Sequence, residues 1–265
     1  MKYFVFSDLH GNRELFDQIK NFLNEQGEWK CIVLGDVIDR GDDGYNILQE
    51  ILNDNRFVLV QGNHEAIFIN VCRHLCDMQD EEMWSLEQLK QYVKDAIQWG
   101  SDWTLEHYFS NGGASTLSGW LKADCPRHLI KTLDELPLVF SYNQYDMIHA
   151  GCSTWKLERE DYEWTDTDNY DAVWNRSHFI QPQDWLKDRI LIHGHTPVCN
   201  MPMWARKNAT HGKASHHTWE PMIYNDGQKI CMDSGAFHSG HISLMDLDTG
   251  EFHHFATSSA LPLDF

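Results

Sequence analysis

Five short polar clusters in the chain together hold several carboxylates and imidazoles: Ser7-Asp8-Leu9-His10-Gly11-Asn12, Gly35-Asp36-Val37-Ile38-Asp39-Arg40-Gly41, Gly62-Asn63-His64-Glu65, His149-Ala150-Gly151 and His193-Gly194-His195-Thr196. Carboxylates gathered in one place repel each other unless cations neutralise them. Aspartate, imidazole and amide oxygen form a hard-to-borderline donor set, which suits manganese, iron or zinc better than a thiolate-selected metal. No cysteine lies in any of the clusters. An Asp-x-His pair on a strand puts both side chains on one face, because strand side chains alternate with period two. One such pair says little; five clusters in this order, each at the end of an apolar run, point to a metal centre.

The elements that must position these clusters follow from apolar spacing. Lys2 to Phe6, Cys31 to Leu34 and Phe57 to Val60 read as buried strands. Glu14, Leu15, Ile19, Phe22 and Leu23 have helical spacing between the first two strands. Tyr45, Ile47, Leu48, Ile51 and Leu52 repeat it between the second and third. A β-α-β-α-β order implies a parallel sheet, and right-handed crossovers bring all three strand ends to one edge. Sites in open α/β sheets lie at that edge. Glycines in the clusters let the backbone turn sharply there.

A helix is expected from Glu65, and residues from about 66 to 135 read as a helical insert within a single domain spanning 1–265. After Pro137 the texture changes to short strands: Leu138 to Phe140, Tyr145 to His149, Ile190 to His193, Met222 to Tyr224, Lys229 to Met232 and His241 to Met245. Asp248-Thr249-Gly250 turns into a last strand, Glu251 to Phe255. Glu158 to Asp171 reads as an acidic solvated loop, and Met201 to Glu220 as a lip after the last cluster. Cys72, His74 and Cys76 lie at helical spacing and read as packing. His216-His217 and His253-His254 read as solvated pairs, and His193 as support for the neighbouring ligands.

The 265 residues carry a formal charge of −19, which opposes general binding to nucleic acid or an anionic membrane. No apolar run approaches the roughly 20 residues of a membrane span. The seven cysteines are scattered and odd in number, so a disulfide framework is not expected. Acidic residues come too early for a signal peptide. A reducing, cytoplasmic setting and a monomer are the expectations.

The motifs Asp8-x-His10-Gly11, Gly35-Asp36-x-x-Asp39-Arg40-Gly41, Gly62-Asn63-His64-Glu65, His149-x-Gly151 and Gly194-His195-Thr196 together resemble those of the calcineurin-like metallophosphoesterases. Within that family the chain is similar to the phosphoprotein phosphatase group, in particular small bacterial and phage-type serine/threonine phosphatases. Ser7 stands where the group usually has glycine. Ser110-Asn111-Gly112-Gly113 with Thr116 also resembles a segment of bacterial members, and no role follows for it from the sequence. The implied fold is an α/β/β/α sandwich: two mixed sheets flanked by helices, with the helical insert.

The resemblance also implies roles. Asp8, His10 and Asp36 hold one divalent ion; Asp36, Asn63, His149 and His195 hold a second, so Asp36 bridges them. The ions are expected to be manganese, with iron or zinc as alternatives. A hydroxide shared between them attacks phosphorus directly. His64 is the general acid, oriented by Asp39. Arg40 and Arg176 grip phosphate oxygens, guanidinium matching them as a fork. The expected activity is hydrolysis of phosphoserine and phosphothreonine in a protein or peptide. Hydrolysis of dinucleoside polyphosphates such as diadenosine tetraphosphate is the alternative, because relatives with that activity share the motifs. A catalytically dead phosphoprotein-binding module is a third reading, against which the intact acid and arginines stand.

Overall fold

Apolar runs buried on both faces become the centre of two stacked sheets. The computed structural model describes residues 1–151, 165–176, 189–207, 209–210 and 218–260. The first half follows the expected alternation: β1 (Lys2–Phe6), α1 (Arg13–Asn24), β2 (Trp29–Leu34), α2 (Gly44–Asn53) and β3 (Phe57–Val60). Five helices follow: α3 (Asn63–Glu81), α4 (Leu86–Trp99), α5 (Trp103–Ser110), α6 (Ala114–Lys122) and α7 (Arg127–Asp134). Then come β4 (Val139–Tyr142), β5 (Tyr145–Ile148), α8 (Asp166–Trp174), β6 (Ile190–His193), α9 (Met203–Lys207), β7 (Met222–Tyr224), β8 (Lys229–Cys231), α10 (Ala236–Ser239), β9 (His241–Asp246) and β10 (Phe252–Ala256).

The first sheet has the order β10-β9-β1-β2-β3, and the second β4-β5-β6-β8-β7. Both are mixed. β1, β2 and β3 run parallel, while β9 is antiparallel to β1 and to β10. In the second sheet β5, β6 and β8 run parallel between antiparallel edges. Alternation within a strand feeds two cores. Val5, Ile32 and Leu34 face Met147, Ile192 and Ile230 between the sheets. Phe4, Phe6, Cys31 and Val33 face the helices on the outer side. α1 buries Leu15, Phe16, Ile19 and Leu23, and the Asn12 side chain caps it by accepting from the Leu15 N–H at 3.1 Å.

The helices after β3 pack onto the same outer core. α3 buries Phe68, Val71, Cys72, Leu75 and Cys76. Cys72 and Cys76 are packing residues as expected, and His74 turns instead to Asp102, 2.7 Å away. Three of the expectations for the later chain need correction or narrowing. The acidic stretch ends in a helix rather than a loop: Asp166–Trp174 forms α8, because Ala172 and Val173 bury and Ala172 packs with Ile148 and Leu191. Its earlier residues, 158–164, lie outside the described residues. The segment after Met201 is partly core, since Met201 and Ala205 pack with Met222 and Tyr224. His253 is not simply solvated: its ring lies 4.4 Å from that of Phe22, and His254 Nδ1 meets the Ser243 hydroxyl at 2.9 Å. His216 and His217 fall outside the described residues. Among those residues, no helix is long and apolar enough to cross a membrane.

Candidate active site

The ends of β1, β2, β3, β5 and β6 deliver their clusters to one crevice. The local backbone there is unusual. Asp8, His10, Asp36, Asp39, Arg40 and His195 all have φ between 49° and 68°, the left-handed region that non-glycine residues avoid. Such conformations persist only where the surroundings over-determine them, and they concentrate at functional sites. The surroundings are visible. The Glu65 carboxylate accepts from the backbone N–H groups of Asp36 (2.8 Å), Val37 (3.0 Å) and Gly62 (3.0 Å), tying the ends of β2 and β3 together. Asp36 Oδ1 in turn accepts from the His64 N–H at 3.0 Å, at the positive end of α3. A side chain at Gly62 would collide with Asp36, and one at Gly194 with Ser7 and Asp8.

Asp36 lies at the centre. His10 Nε2 is 3.8 Å from its Oδ2, and His149 Nε2 is 3.5 Å from its Oδ1. Both rings are aimed by their other nitrogen: His10 Nδ1 is 3.1 Å from the Ile38 carbonyl, and His149 Nδ1 is 2.6 Å from that of Leu34. Asn63 Oδ1 stands 2.9 Å from His149 Nε2 and 2.8 Å from His195 Nδ1. Two tight donor groups result, His10-Asp36-His64 and Asp36-His149-His195, with Asp36 common to both. Asp8 is in neither, although it is close enough to Asp36 for their charges to repel. Its carboxylate accepts from the Ser7 hydroxyl and from the His195 N–H at 3.1 Å.

The electrostatics fit a cation site. Burial first, and the neighbouring Asp36 charge second, push the Asp8 carboxyl up. Burial would also raise Asp36, but His149, His64, His10 and His195 hold it low. Burial pulls His10 down to about 3 and His195 to about 2, so both rings are neutral at neutral pH, the form that can bind a cation. His195 Nε2 is buried with no hydrogen-bond partner. Two buried carboxylates, neutral imidazoles, an amide oxygen and an orphaned ring nitrogen suit a pair of divalent ions.

His64 differs from the other imidazoles. Its Nδ1 is 2.8 Å from Asp39 Oδ2, and its Nε2 is 3.2 Å from an Arg40 guanidinium nitrogen. Burial opposes charge on this ring, but Asp36 and then Asp39 outweigh it and raise it to about 9. Arg40 reaches solvent at the mouth. Arg176 is also exposed and is fixed by a 3.1 Å hydrogen bond from Nε to the Thr196 hydroxyl, one residue past His195. Beside it Trp174 meets the His195 ring edge-on at 5.9 Å, and the exposed Tyr170 stacks 6.2 Å beyond. His193 turns away, to the Tyr224 hydroxyl at 2.8 Å.

Sequence reasoning missed the supports. Glu65 stood in the Gly62-Asn63-His64-Glu65 motif with no role of its own. The Ser110 to Thr116 segment, which had no role, grips the Asp39-Arg40-Gly41 turn. The Gly112 carbonyl accepts from Arg40 N–H at 2.8 Å, Thr116 Oγ1 from Asp39 N–H at 3.0 Å, and the Ser115 hydroxyl donates to the Gly41 carbonyl at 2.7 Å. Gly112, at φ 88°, passes so close to Arg40 that a Cβ would stand 2.9 Å from its Cγ.

A family model described as calcineurin-like phosphoesterase matches residues 1–230. No curated protein sequence matches the chain significantly. A solved structure assigned provisionally as a diadenosine tetraphosphatase is 15% identical, with a TM-score of 0.56, over 98% of this chain and 95% of that one. A metallophosphoesterase from Sphaerobacter thermophilus is 14% identical, with a TM-score of 0.50, over 97% of this chain and 89% of that one. A protein serine/threonine phosphatase from Saccharomyces cerevisiae is 14% identical, with a TM-score of 0.45, over 98% and 81%. At these identities the likeness concerns the fold alone.

Proposed function

The chain belongs to the calcineurin-like phosphoesterases, and from that premise we propose that it hydrolyses phosphoserine and phosphothreonine monoesters in proteins or peptides. The observation that supports this reading is the Asp39-His64 pair, 2.8 Å apart, which can supply the proton a basic leaving oxygen needs; relatives of the second reading share the motif, and the assay below separates the two. A serine or threonine alkoxide is a strong base and leaves only with a proton; a nucleoside phosphate leaves without one. The proposed ligands are Asp8, His10 and Asp36 for one divalent ion, and Asp36, Asn63, His149 and His195 for the other, with manganese the favoured metal. When bound, the ions would make water acidic enough to ionise near neutral pH and would neutralise phosphoryl charge. Arg40 and Arg176 orient the phosphate, which answers how an anion reaches a protein of charge −19. His64 holds a proton at Nε2 for the departing oxygen, and Asp39 holds the ring by Nδ1.

Hydrolysis of a dinucleoside polyphosphate is the second reading. The exposed Tyr170 stacked on Trp174, next to His195, favours it, because such a stair could stack a base. One assay separates the two. Protein with Mn²⁺ is offered a phosphothreonine peptide, p-nitrophenyl phosphate and diadenosine tetraphosphate. Turnover of the two monoesters is expected. Turnover of the dinucleotide alone would overturn the proposal, and no turnover at all would favour a binding module. His64→Asn should cut peptide turnover by roughly two to four orders of magnitude with metal content intact.

A further inference from the structure

Asp39 has two carboxylate oxygens and two side-chain partners. Oδ2 faces His64 Nδ1 at 2.8 Å, and Oδ1 accepts from the Tyr108 hydroxyl at 2.6 Å. Asp39 and Tyr108 are wholly buried, and His64 nearly so. Tyr108 comes from α5, 69 residues further along the chain. Thr116 Oγ1 accepts from the Asp39 N–H at 3.0 Å, so two residues of the insert hold Asp39, one by its backbone and one by its carboxylate. Gly113 lies bare under the ring, and a Cβ there would run into the ring carbons. The phenol stays protonated at neutral pH, since burial and then the Asp39 charge push it well above the usual tyrosine range. Tyr108 touches neither the proposed metal ligands nor Arg40 among the hydrogen bonds of the site, so its hydroxyl acts on Asp39.

We propose that Tyr108 is a positioning residue for proton donation: by occupying Asp39 Oδ1 it fixes the carboxylate, keeps His64 Nδ1 on Oδ2, and so points Nε2 at the leaving oxygen. This rests on the monoesterase reading of the site. In the step it serves, the oxygen of a water already deprotonated to solvent bonds to phosphorus as the bond from phosphorus to the leaving oxygen breaks, its electron pair passing to that oxygen. The proton on His64 Nε2 moves to that oxygen. Nδ1 and Tyr108 keep their protons, and Asp39 keeps its charge. The helical insert thereby enters catalysis without touching substrate, and its influence grows with the basicity of the leaving group.

The test compares leaving groups. Tyr108→Phe with Mn²⁺ is assayed on p-nitrophenyl phosphate, whose phenolate departs readily, and on a phosphoserine peptide, whose alkoxide does not. On the peptide kcat should fall roughly 10- to 100-fold, part of the usual worth of a general acid. That loss should exceed the loss on p-nitrophenyl phosphate about tenfold, with both KM values within about threefold of wild type. Tyr92→Phe removes a similar phenol-to-carboxylate bond, to Asp102, elsewhere in the insert and should leave the ratio of the two rates unchanged. In the metal-free protein, the downfield proton of the His64-Asp39 bond, assigned by its loss in His64→Asn, should shift or broaden in Tyr108→Phe. Equal losses on both substrates, or an unperturbed proton, would overturn the positioning role. A wild-type protein inactive on both esters would instead overturn the monoesterase reading, and the proton signal alone would then decide the Tyr108 contact. If Tyr108→Phe does not fold, protein made with 3-fluorotyrosine in place of tyrosine, whose more acidic phenol donates more strongly to Oδ1, carries the test: a shifted His64-Asp39 proton supports the proposal, and an unmoved one refutes it.

Discussion

Replacing Glu65 with glutamine should loosen the crevice at its base. The wild-type carboxylate is fully buried and serves three backbone donors, two on Oε2 and one on Oε1. A glutamine carbonyl can take over Oε2, but those two bonds lose their charge, about 1 kcal/mol each. Its amide then faces the Val37 N–H, donor against donor, which leaves a buried N–H unmet at about 1–3 kcal/mol. Relief of burying a charge offsets part of this, because burial pushes the Glu65 carboxyl up. A net loss of about 2–4 kcal/mol follows. For a chain of this length, that corresponds to a Tm lower by roughly 5–15 °C. Calorimetry in chelator reads the fold without the metal. Titration with Mn²⁺ should then show affinity weakened about 10- to 100-fold, because Asp36 hangs from the same carboxylate. A Tm within about 2 °C of wild type together with unchanged Mn²⁺ affinity would refute the claim that Glu65 holds the strand ends in place.

Two other perturbations test the insert and the centre. Asp102 accepts from His74, from Tyr92 and from the Leu105 N–H that it caps. Burial raises its carboxyl, but these partners outweigh it and hold it below the usual range. Its stabilising effect is therefore complete above the ordinary value near about 4 and fades as pH falls through the lower folded value. Wild type should exceed Asp102→Asn by about 1–3 kcal/mol at neutral pH. In thermal unfolding that margin should narrow on acidification below about pH 4, and a constant margin would count against the assignment. Stripping divalent ions should abolish turnover and lower Tm, and Mn²⁺ at a hundredfold its Kd should restore about 2.7 kcal/mol. Activity that survives exhaustive chelation with an unchanged Tm would contradict the metal centre.

Much of the site was legible because its chemistry sits where local pattern is strongest. Each cluster closes a short apolar strand, so Asp8, Asp36 and Asn63 could be brought to one edge from β-α-β order alone. The left-handed conformations of Asp8, His10, Asp36, Asp39, Arg40 and His195 were not legible. Flanking glycines signal a turn, but not which non-glycine residues must take the disfavoured φ. α8 was hidden inside an acidic stretch, because few of its residues are apolar, and Ile148 and Leu191, the partners of its buried Ala172, lie on strands elsewhere in the chain.

The roles of Asp39, Arg40 and His64 came from the resemblance of their motifs, whereas the sequence by itself determined the donor types at the strand ends and the parallel half of the first sheet. Those depend on residue types and on spacings of a few positions, which the period of a strand or helix converts directly into a shared face. Only the tertiary structure decided that Glu65 ties two strand ends together, that Asp8 is engaged by the His195 N–H 187 residues away, and that Tyr108 reaches Asp39 from the insert. Contacts between such distant residues are set by how whole helices pack on a sheet, and no local period carries that information.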